Sequence, residues 1–287
     1  MSFLFSKNII NIMKKISLAL AMGLLVATSS FAQEFKMPAP SPTATLSQDF
    51  STSKIDISYS RPSVKGRKIF GDIVPFGQEW RTGANGATKV TFGEDVFITG
   101  KLLKAGTYSL YTIPGKESWE VIFNESTENW GLSGYDKKKN VLSVKLPAMQ
   151  TNVIETFSIT VEDITKNTCN IVLAWEKARV AIPVKVENEA RIEAYIEKSL
   201  KGENPPYMVA AKYYLEQGKN LNEALGYTDK AIQANPKAFY IHWMKAQILE
   251  KLGKKKEAIA EAKVAADGAK GSPYEAEYAN NYKEISK

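Results

Sequence analysis

The sequence is almost free of cysteine and histidine, with one of each in 287 residues, at Cys169 and His242. A single cysteine allows no internal disulfide, so a folded domain must be held together by its core. Zinc centres need several cysteine or histidine ligands, and a serine or cysteine nucleophile needs a neighbouring base, usually histidine. The scarcity of both residue types excludes a zinc centre. It also argues against a serine or cysteine nucleophile within residues 1–241, which contain no histidine.

The single cysteine and the single histidine both lie in sequence surroundings that are typical of packed, unreactive side chains. Cys169 lies in the strand-like segment TCNIVLAWE, where we expect a buried and inert thiol. His242 lies between Ile241 and Trp243 on a helix-like segment, where we expect a partly buried packing side chain. The sequence also lacks Walker, EF-hand and GxSxG motifs. We therefore predict no catalytic residue, no metal and no cofactor.

Long apolar runs are scarce as well, and the one near the N-terminus has the features of a secretory signal peptide. The segment MKKISLALAMGLLVATSSFAQ, from Met13 to Gln33, has a basic start, an apolar centre and small residues before a cleavage point after Ala32. Its apolar run is about half of the ~20 residues that span a bilayer. We predict a signal peptide over residues 1–32, with Met13 a better start than Met1, and a periplasmic or secreted protein that does not span the membrane after cleavage.

Positive charge is only mildly in excess over negative charge. The formal net charge is +7, and it falls to +4 without residues 1–32, which carry three lysines and no acidic residue. A protein that binds nucleic acid usually has a much stronger basic patch. We therefore predict no nucleic-acid partner.

Residues 43–186 have the sequence pattern of an antiparallel β-sandwich, preceded by a flexible segment over residues 33–42. Apolar residues alternate with a period of two, as at Ile55, Ile57 and Tyr59, and turn residues separate the short segments. No helix-length segment interrupts them, which argues against a parallel sheet. The pattern predicts eight or nine strands.

Residues 187–287 change abruptly to a helical period. Glu223-Ala224 recurs 34 residues later as Glu257-Ala258, which is the period of the tetratricopeptide helical hairpin. We predict two such repeats, at about 206–236 and 237–271, with flanking helices and a protein segment as their partner. Glu261 departs from the pattern, because it stands where the first repeat has Tyr227. A small helical bundle without repeat character is the alternative.

The stretch RPSVKGRKIFGDIVPFGQEWRTGAN, residues 61–85, is rich in arginine for a loop between strands. Guanidinium groups suit carboxylates, phosphates and sugar hydroxyls. The same arginines, paired with internal acidic residues, would equally pin a long loop to the sandwich. The candidate ligand-binding residues are Arg61, Arg67, Trp80, Arg81, Asn85 and Tyr108, the arginines and Asn85 as hydrogen-bond donors and the two aromatic residues as a stacking wall.

This stretch, together with GTYSLYTIPG, WEVIFN, the Trp130-Gly131 pair and LAWEKARVAIPVKV, resembles an exported bacterial family known as a domain of unknown function, number 2911. The resemblance covers residues 40–186. It implies an exported β-sandwich, often followed by helical repeats, and it implies no activity.

These observations favour an exported, noncatalytic binding or scaffold protein, whose sandwich binds a small polar or anionic ligand or an envelope partner. Two alternatives remain. A carbohydrate-active hydrolase would need a pair of facing carboxylates, for which Asp72, Glu79, Glu120, Glu125 and Asp136 are available. A purely structural envelope protein would have every arginine paired internally.

Overall fold

The computed structural model describes residues 37–287, so the predicted signal peptide, the start at Met13 and the cleavage after Ala32 lie outside the described residues. Backbone contacts divide the chain into two units, a first unit that ends at Val184 and a second unit from Lys185 to Lys287. Within the described range, no helix combines the length and the apolar character that a membrane crossing requires.

The first unit consists of two antiparallel sheets. One has six strands in the order β1-β2-β3-β6-β7-β8, and the other has four in the order β5-β4-β10-β9. The unit has ten strands rather than the predicted eight or nine, and β5 is too short for a period of two to reveal it. The strands are β1 (Thr43–Phe50), β2 (Ser53–Ser60), β3 (Thr88–Phe92), β4 (Val96–Ile98), β5 (Lys101–Leu103), β6 (Gly106–Ile113), β7 (Ser118–Asn124), β8 (Asn140–Pro147), β9 (Met149–Glu162) and β10 (Thr168–Lys185).

One face of the six-stranded sheet is buried across β2, β3 and β6. Ile57 of β2 lies opposite Val90 of β3, which lies opposite Tyr108 of β6. All three side chains are at least nine-tenths buried. Because side chains alternate along a strand, this register places the residues between them on the other face of the sheet.

An aromatic cluster joins residues of both sheets. Trp119 comes from the six-stranded sheet, and Phe157 and Trp175 come from the four-stranded sheet. Phe70 and Trp80, from the segment between β2 and β3, contact these rings, and Trp80 stacks on Trp175 with 5.7 Å between ring centroids. Residues 61–87 are therefore held by long-range packing.

The second unit contains six helices. Small residues occur where neighbouring helices meet, and Ala224, Ala231, Ala258 and Ala265 are all buried. The helices are α1 (Glu189–Leu200), α2 (Tyr207–Gln217), α3 (Leu221–Ala234), α4 (Phe239–Lys251), α5 (Lys255–Gly268) and α6 (Glu275–Ile285).

Candidate functional site

Two of the three candidate arginines bind backbone carbonyls. The Arg61 Nε donates to the Phe157 carbonyl oxygen at 3.0 Å and so ties the end of β2 to β9. The Arg67 side chain donates to the carbonyl oxygens of Val64 and Ser63, at 3.0 and 2.6 Å, and closes the turn in which it lies. Neither arginine is paired with an acidic side chain, and the hydrogen bonds of both stabilise the loop.

Trp80 and Tyr108 are buried and present no ring face to solvent. Trp80 is 6% exposed, and its indole Nε1 donates to the Gly83 carbonyl oxygen at 3.0 Å. Tyr108 is 8% exposed, its hydroxyl donates to the Lys104 carbonyl oxygen, and burial raises the pKa of the phenol. The hypothesis that they form a stacking wall for a ligand has no support in this placement, and we leave both out of the site.

Asn85 also secures the backbone. Its φ is +58°, in the left-handed region that asparagine tolerates better than most residues. Its side-chain amide donates to the Ser41 carbonyl oxygen at 3.3 Å and to the Ser60 hydroxyl at 3.2 Å. Both donor hydrogens thus serve to hold the segment against the chain around β1 and β2.

Arg81 differs from the other candidates in its position, which follows from the backbone pairing of its neighbour Trp80. Trp80 and Thr112 exchange two main-chain hydrogen bonds of 2.7 and 2.9 Å, so residues 79–81 run beside the end of β6 like a strand. Trp80 enters the aromatic core, and alternation sends Glu79 and Arg81 to the opposite, outer face of the sheet. Glu79 there forms an ion pair with Lys137, whose hydrogen bond lowers the pKa of the Glu79 carboxyl.

A loop over residues 125–139, called here the covering loop, lies on this outer face. Tyr135 of the loop packs on the buried Tyr111 of β6, with ring centroids 4.4 Å apart. Asn129 donates to the Tyr111 hydroxyl at 3.0 Å, and that hydroxyl donates to the Gly131 carbonyl oxygen at 3.4 Å. The loop is therefore fixed by specific contacts at several points along its length.

Arg81 lies beside the covering loop at Gly131. A Cβ atom added at Gly131 would lie 3.6 Å from the Arg81 Nη1 atom. The Arg81 Nε atom is buried and has no hydrogen-bond partner. Trp130, which precedes Gly131, is 71% exposed although its backbone pairs with Gly86 and Ser133. The structure thus brings Arg81 to the loop that carries Trp130, which was not among the candidate ligand-binding residues.

Three of the five acidic residues considered for a hydrolase have polar partners in the structure. Besides the Glu79 ion pair, Glu120 accepts a hydrogen bond from the Ser143 hydroxyl, and Asp136 caps a short 3-10 turn by accepting from the Lys138 amide at 2.9 Å. Across residues 37–287, no group of three or more histidine, cysteine or acidic side chains is arranged to hold a metal ion.

A second candidate site lies in the helical unit, as a groove of about 560 Å³ between α2 and α4. Met208 and Tyr240 on its walls are 37% and 43% exposed, so the groove offers accessible apolar surface. Neither residue was predicted as part of a site, although apolar side chains outside the buried stripe of a helix are a usable signal. The lining residues are Met208, Lys212, Leu215, Glu216, Tyr240, Trp243, Met244, Gln247, Glu250 and Lys251.

Comparisons with known proteins identify the first unit alone. No curated protein matches the chain, and no solved structure matches it. Residues 41–184, half of the chain, match the family model described as a protein of unknown function, DUF2911. The predicted resemblance over residues 40–186 is confirmed to that extent, and the chain belongs to the DUF2911 family.

Proposed function

We propose that this protein is an exported, noncatalytic binding protein whose helical unit holds a segment of another protein. The groove between α2 and α4 is the observation that carries the proposal. A concave site of several hundred Å³, lined by apolar and aromatic side chains with a few polar groups, is typical of a binding site.

Repeat character supports the peptide-binding role. We infer that α2 with α3 and α4 with α5 are two tetratricopeptide-like hairpins, since the 34-residue spacing of Glu223-Ala224 and Glu257-Ala258 falls at equivalent places in α3 and α5. On this interpretation, the groove lies between the first helices of the two hairpins. The two sheets of the first unit are likewise inferred to pack as a sandwich, because Trp119, Phe157 and Trp175 meet in one cluster.

The chemistry of the lining indicates the kind of segment that fits. Met208, Tyr240, Trp243 and Met244 offer apolar and polarisable surface that adapts to varied side chains. Lys212 and Lys251 are balanced by Glu216 and Glu250, so the lining has no excess charge to select a strongly acidic or basic partner. The groove therefore favours a segment with large apolar side chains.

Selection from a library of displayed peptides, followed by fluorescence anisotropy of the selected sequences, tests this proposal. We expect Tyr240→Ala to weaken binding about tenfold, since tyrosine is enriched among the few interface residues that carry most of the binding energy. The matched control is Val264→Ala, because Val264 is 48% exposed on α5 and does not line the groove. Equal affinity of the wild type and Tyr240→Ala would contradict the proposal.

Export is the part of the proposal that depends on residues 1–32. Its support is the signal-peptide pattern, and it predicts that the protein recovered from the producing cells begins at Gln33. An intact mass that retains residues 13–32, in protein from the cytoplasm, would contradict export.

A further inference from the structure

We propose that Arg81 and Trp130 form a binding site for a small aromatic anion, meaning a flat ring that bears a carboxylate or phosphate group. This site is in the first unit, and it does not depend on the peptide groove of the second unit. The guanidinium group would bind the anionic group, and the exposed indole would stack on the ring.

The first argument is the uncompensated charge of Arg81. Arg61 and Arg67 donate to backbone carbonyls, and Arg179 pairs with Glu162 at 2.7 Å. Among the described arginines of the first unit, Arg81 alone has neither an ion pair nor a side-chain hydrogen bond. Buried polar groups are almost always satisfied, and a part-buried charge without a partner is costly. Arg81 as a whole is only part-buried, and an anion that reached its guanidinium group would neutralise this charge.

The second argument is that the backbone of Arg81 is fixed and that its Nε atom is buried, which restricts the side chain. The backbone on either side is fixed by the Trp80–Thr112 pairing and by the Thr88 amide, which donates to the Arg81 carbonyl oxygen at 3.2 Å. Gly131 approaches the side chain closely, with a φ of +65° that favours glycine. A donor group fixed before the ligand arrives loses little side-chain entropy on binding, which favours affinity.

The third argument is the exposed indole of Trp130. It is 71% exposed on a loop that is otherwise anchored by Asn129, Gly131 and Tyr135, so its exposure does not reflect a loose segment. Trp130 directly precedes Gly131, the position where an added Cβ atom would lie 3.6 Å from the Arg81 Nη1 atom. Tryptophan provides a rigid apolar face that binds flat rings, and exposing it without such a ligand gains nothing for stability.

Titration of the purified full chain with benzoate and phenyl phosphate, followed by intrinsic tryptophan fluorescence and calorimetry, tests the proposal. Benzamide keeps the ring without the charge, and acetate keeps the charge without the ring. We expect saturable binding of at least one aromatic anion and at least tenfold weaker binding of benzamide and acetate. The comparison of benzoate with phenyl phosphate shows which anionic group the site prefers.

Variants distinguish this site from general attraction of anions to a basic protein. Arg81→Gln is expected to weaken binding at least tenfold, and Trp130→Ala about fivefold, whereas Arg67→Gln removes an arginine of the same segment and leaves binding unchanged. Because Trp130 is mostly exposed, its alanine variant stays folded even if Arg81→Gln does not. Failure of both aromatic anions to bind, or equal binding by the wild type and Trp130→Ala, would overturn the proposal.

Discussion

Gly83 shows at the scale of one residue how the long segment before β3 is held. Its φ is +152°, and a Cβ atom there would lie 3.0 Å from the Ser60 carbonyl oxygen and 3.2 Å from the Thr88 Oγ1 atom. Its own carbonyl oxygen accepts the hydrogen bond of the Trp80 indole. The segment can therefore pass close to the end of β2 only where no side chain is present.

Gly83→Ala is predicted to destabilise the first unit by at least about 2 kcal/mol, because the unfavourable φ and the close contact with backbone act together. Gly77→Ala is the matched control. Gly77 has a φ of +75° but no atom within 4 Å of an added Cβ, so we expect a loss of about 1 kcal/mol from the backbone alone. Urea unfolding followed by tryptophan fluorescence measures both, and equal losses would show that the close approach is unimportant.

The roles of single residues could be predicted only in part. The burial of Cys169 and the mostly buried position of His242, which is 14% exposed, are confirmed. The three arginines could not be separated, because a guanidinium group suits a backbone carbonyl as well as an anion. Trp80 could not be assigned to the core because residues 61–87 lack a periodic pattern, and their burial depends on contacts with β7, β9 and β10.

At the scale of elements, α4 and α5 are joined by a charged network that the repeat pattern does not include. Glu261 accepts from the His242 Nδ1 atom at 2.7 Å and pairs with Lys245 at 2.6 Å, and Lys245 also reaches Asp229 of α3 at 2.9 Å. Burial raises the pKa of Glu261, but the hydrogen bonds from His242 and Lys245 outweigh it, and the pKa is lowered from its usual 4.5. The acid that departs from the repeat pattern thus connects neighbouring helices.

A lowered pKa in the folded state means that ionised Glu261 stabilises the fold above about pH 4.5, and that this contribution is lost as the pH falls through the folded-state pKa. Glu261→Gln should cost about 2 kcal/mol at pH 7, the usual value for hydrogen bonds to a charged group. The difference from wild type should shrink at pH 3. Urea unfolding followed by circular dichroism at 222 nm measures it.

The control for that series is Glu257→Gln, because Glu257 is 62% exposed and lies 4.0 Å from Lys254. A surface pair of this kind contributes less than about 1 kcal/mol, and its loss should show little dependence on pH. A constant difference between wild type and Glu261→Gln from pH 7 to pH 3 would contradict the assignment of the effect to the Glu261 carboxylate.

Strands and helices could be predicted from the sequence wherever the hydrophobic periodicity extended over enough residues. The alternation at Ile55, Ile57 and Tyr59 corresponds to β2, and the helical period after residue 187 corresponds to α1. The pairing of Lys245 with Glu261 was not accessible, since it depends on which faces of α4 and α5 meet. The groove between α2 and α4 could not be predicted either, because it depends on how these two helices pack.

At the scale of the molecule, each of the two units has a buried core of its own. The first unit buries Trp119, Phe123 and Phe157 almost completely. The second unit has clusters such as that of Tyr213, Tyr214 and Ile248, which draws on several helices. Units with separate cores are expected to fold independently.

Residues 37–184 and 185–287, expressed separately, are therefore predicted each to unfold cooperatively in urea, the first by tryptophan fluorescence and the second by circular dichroism at 222 nm. Residues 221–287 are the control, because they lack α1 and α2 and so lose Tyr213 and Tyr214 from the cluster around Ile248. We expect this shorter fragment to show no cooperative transition. A gradual signal change in either complete unit would mean that its core is insufficient alone, since a core that supports independent folding is lost in one step.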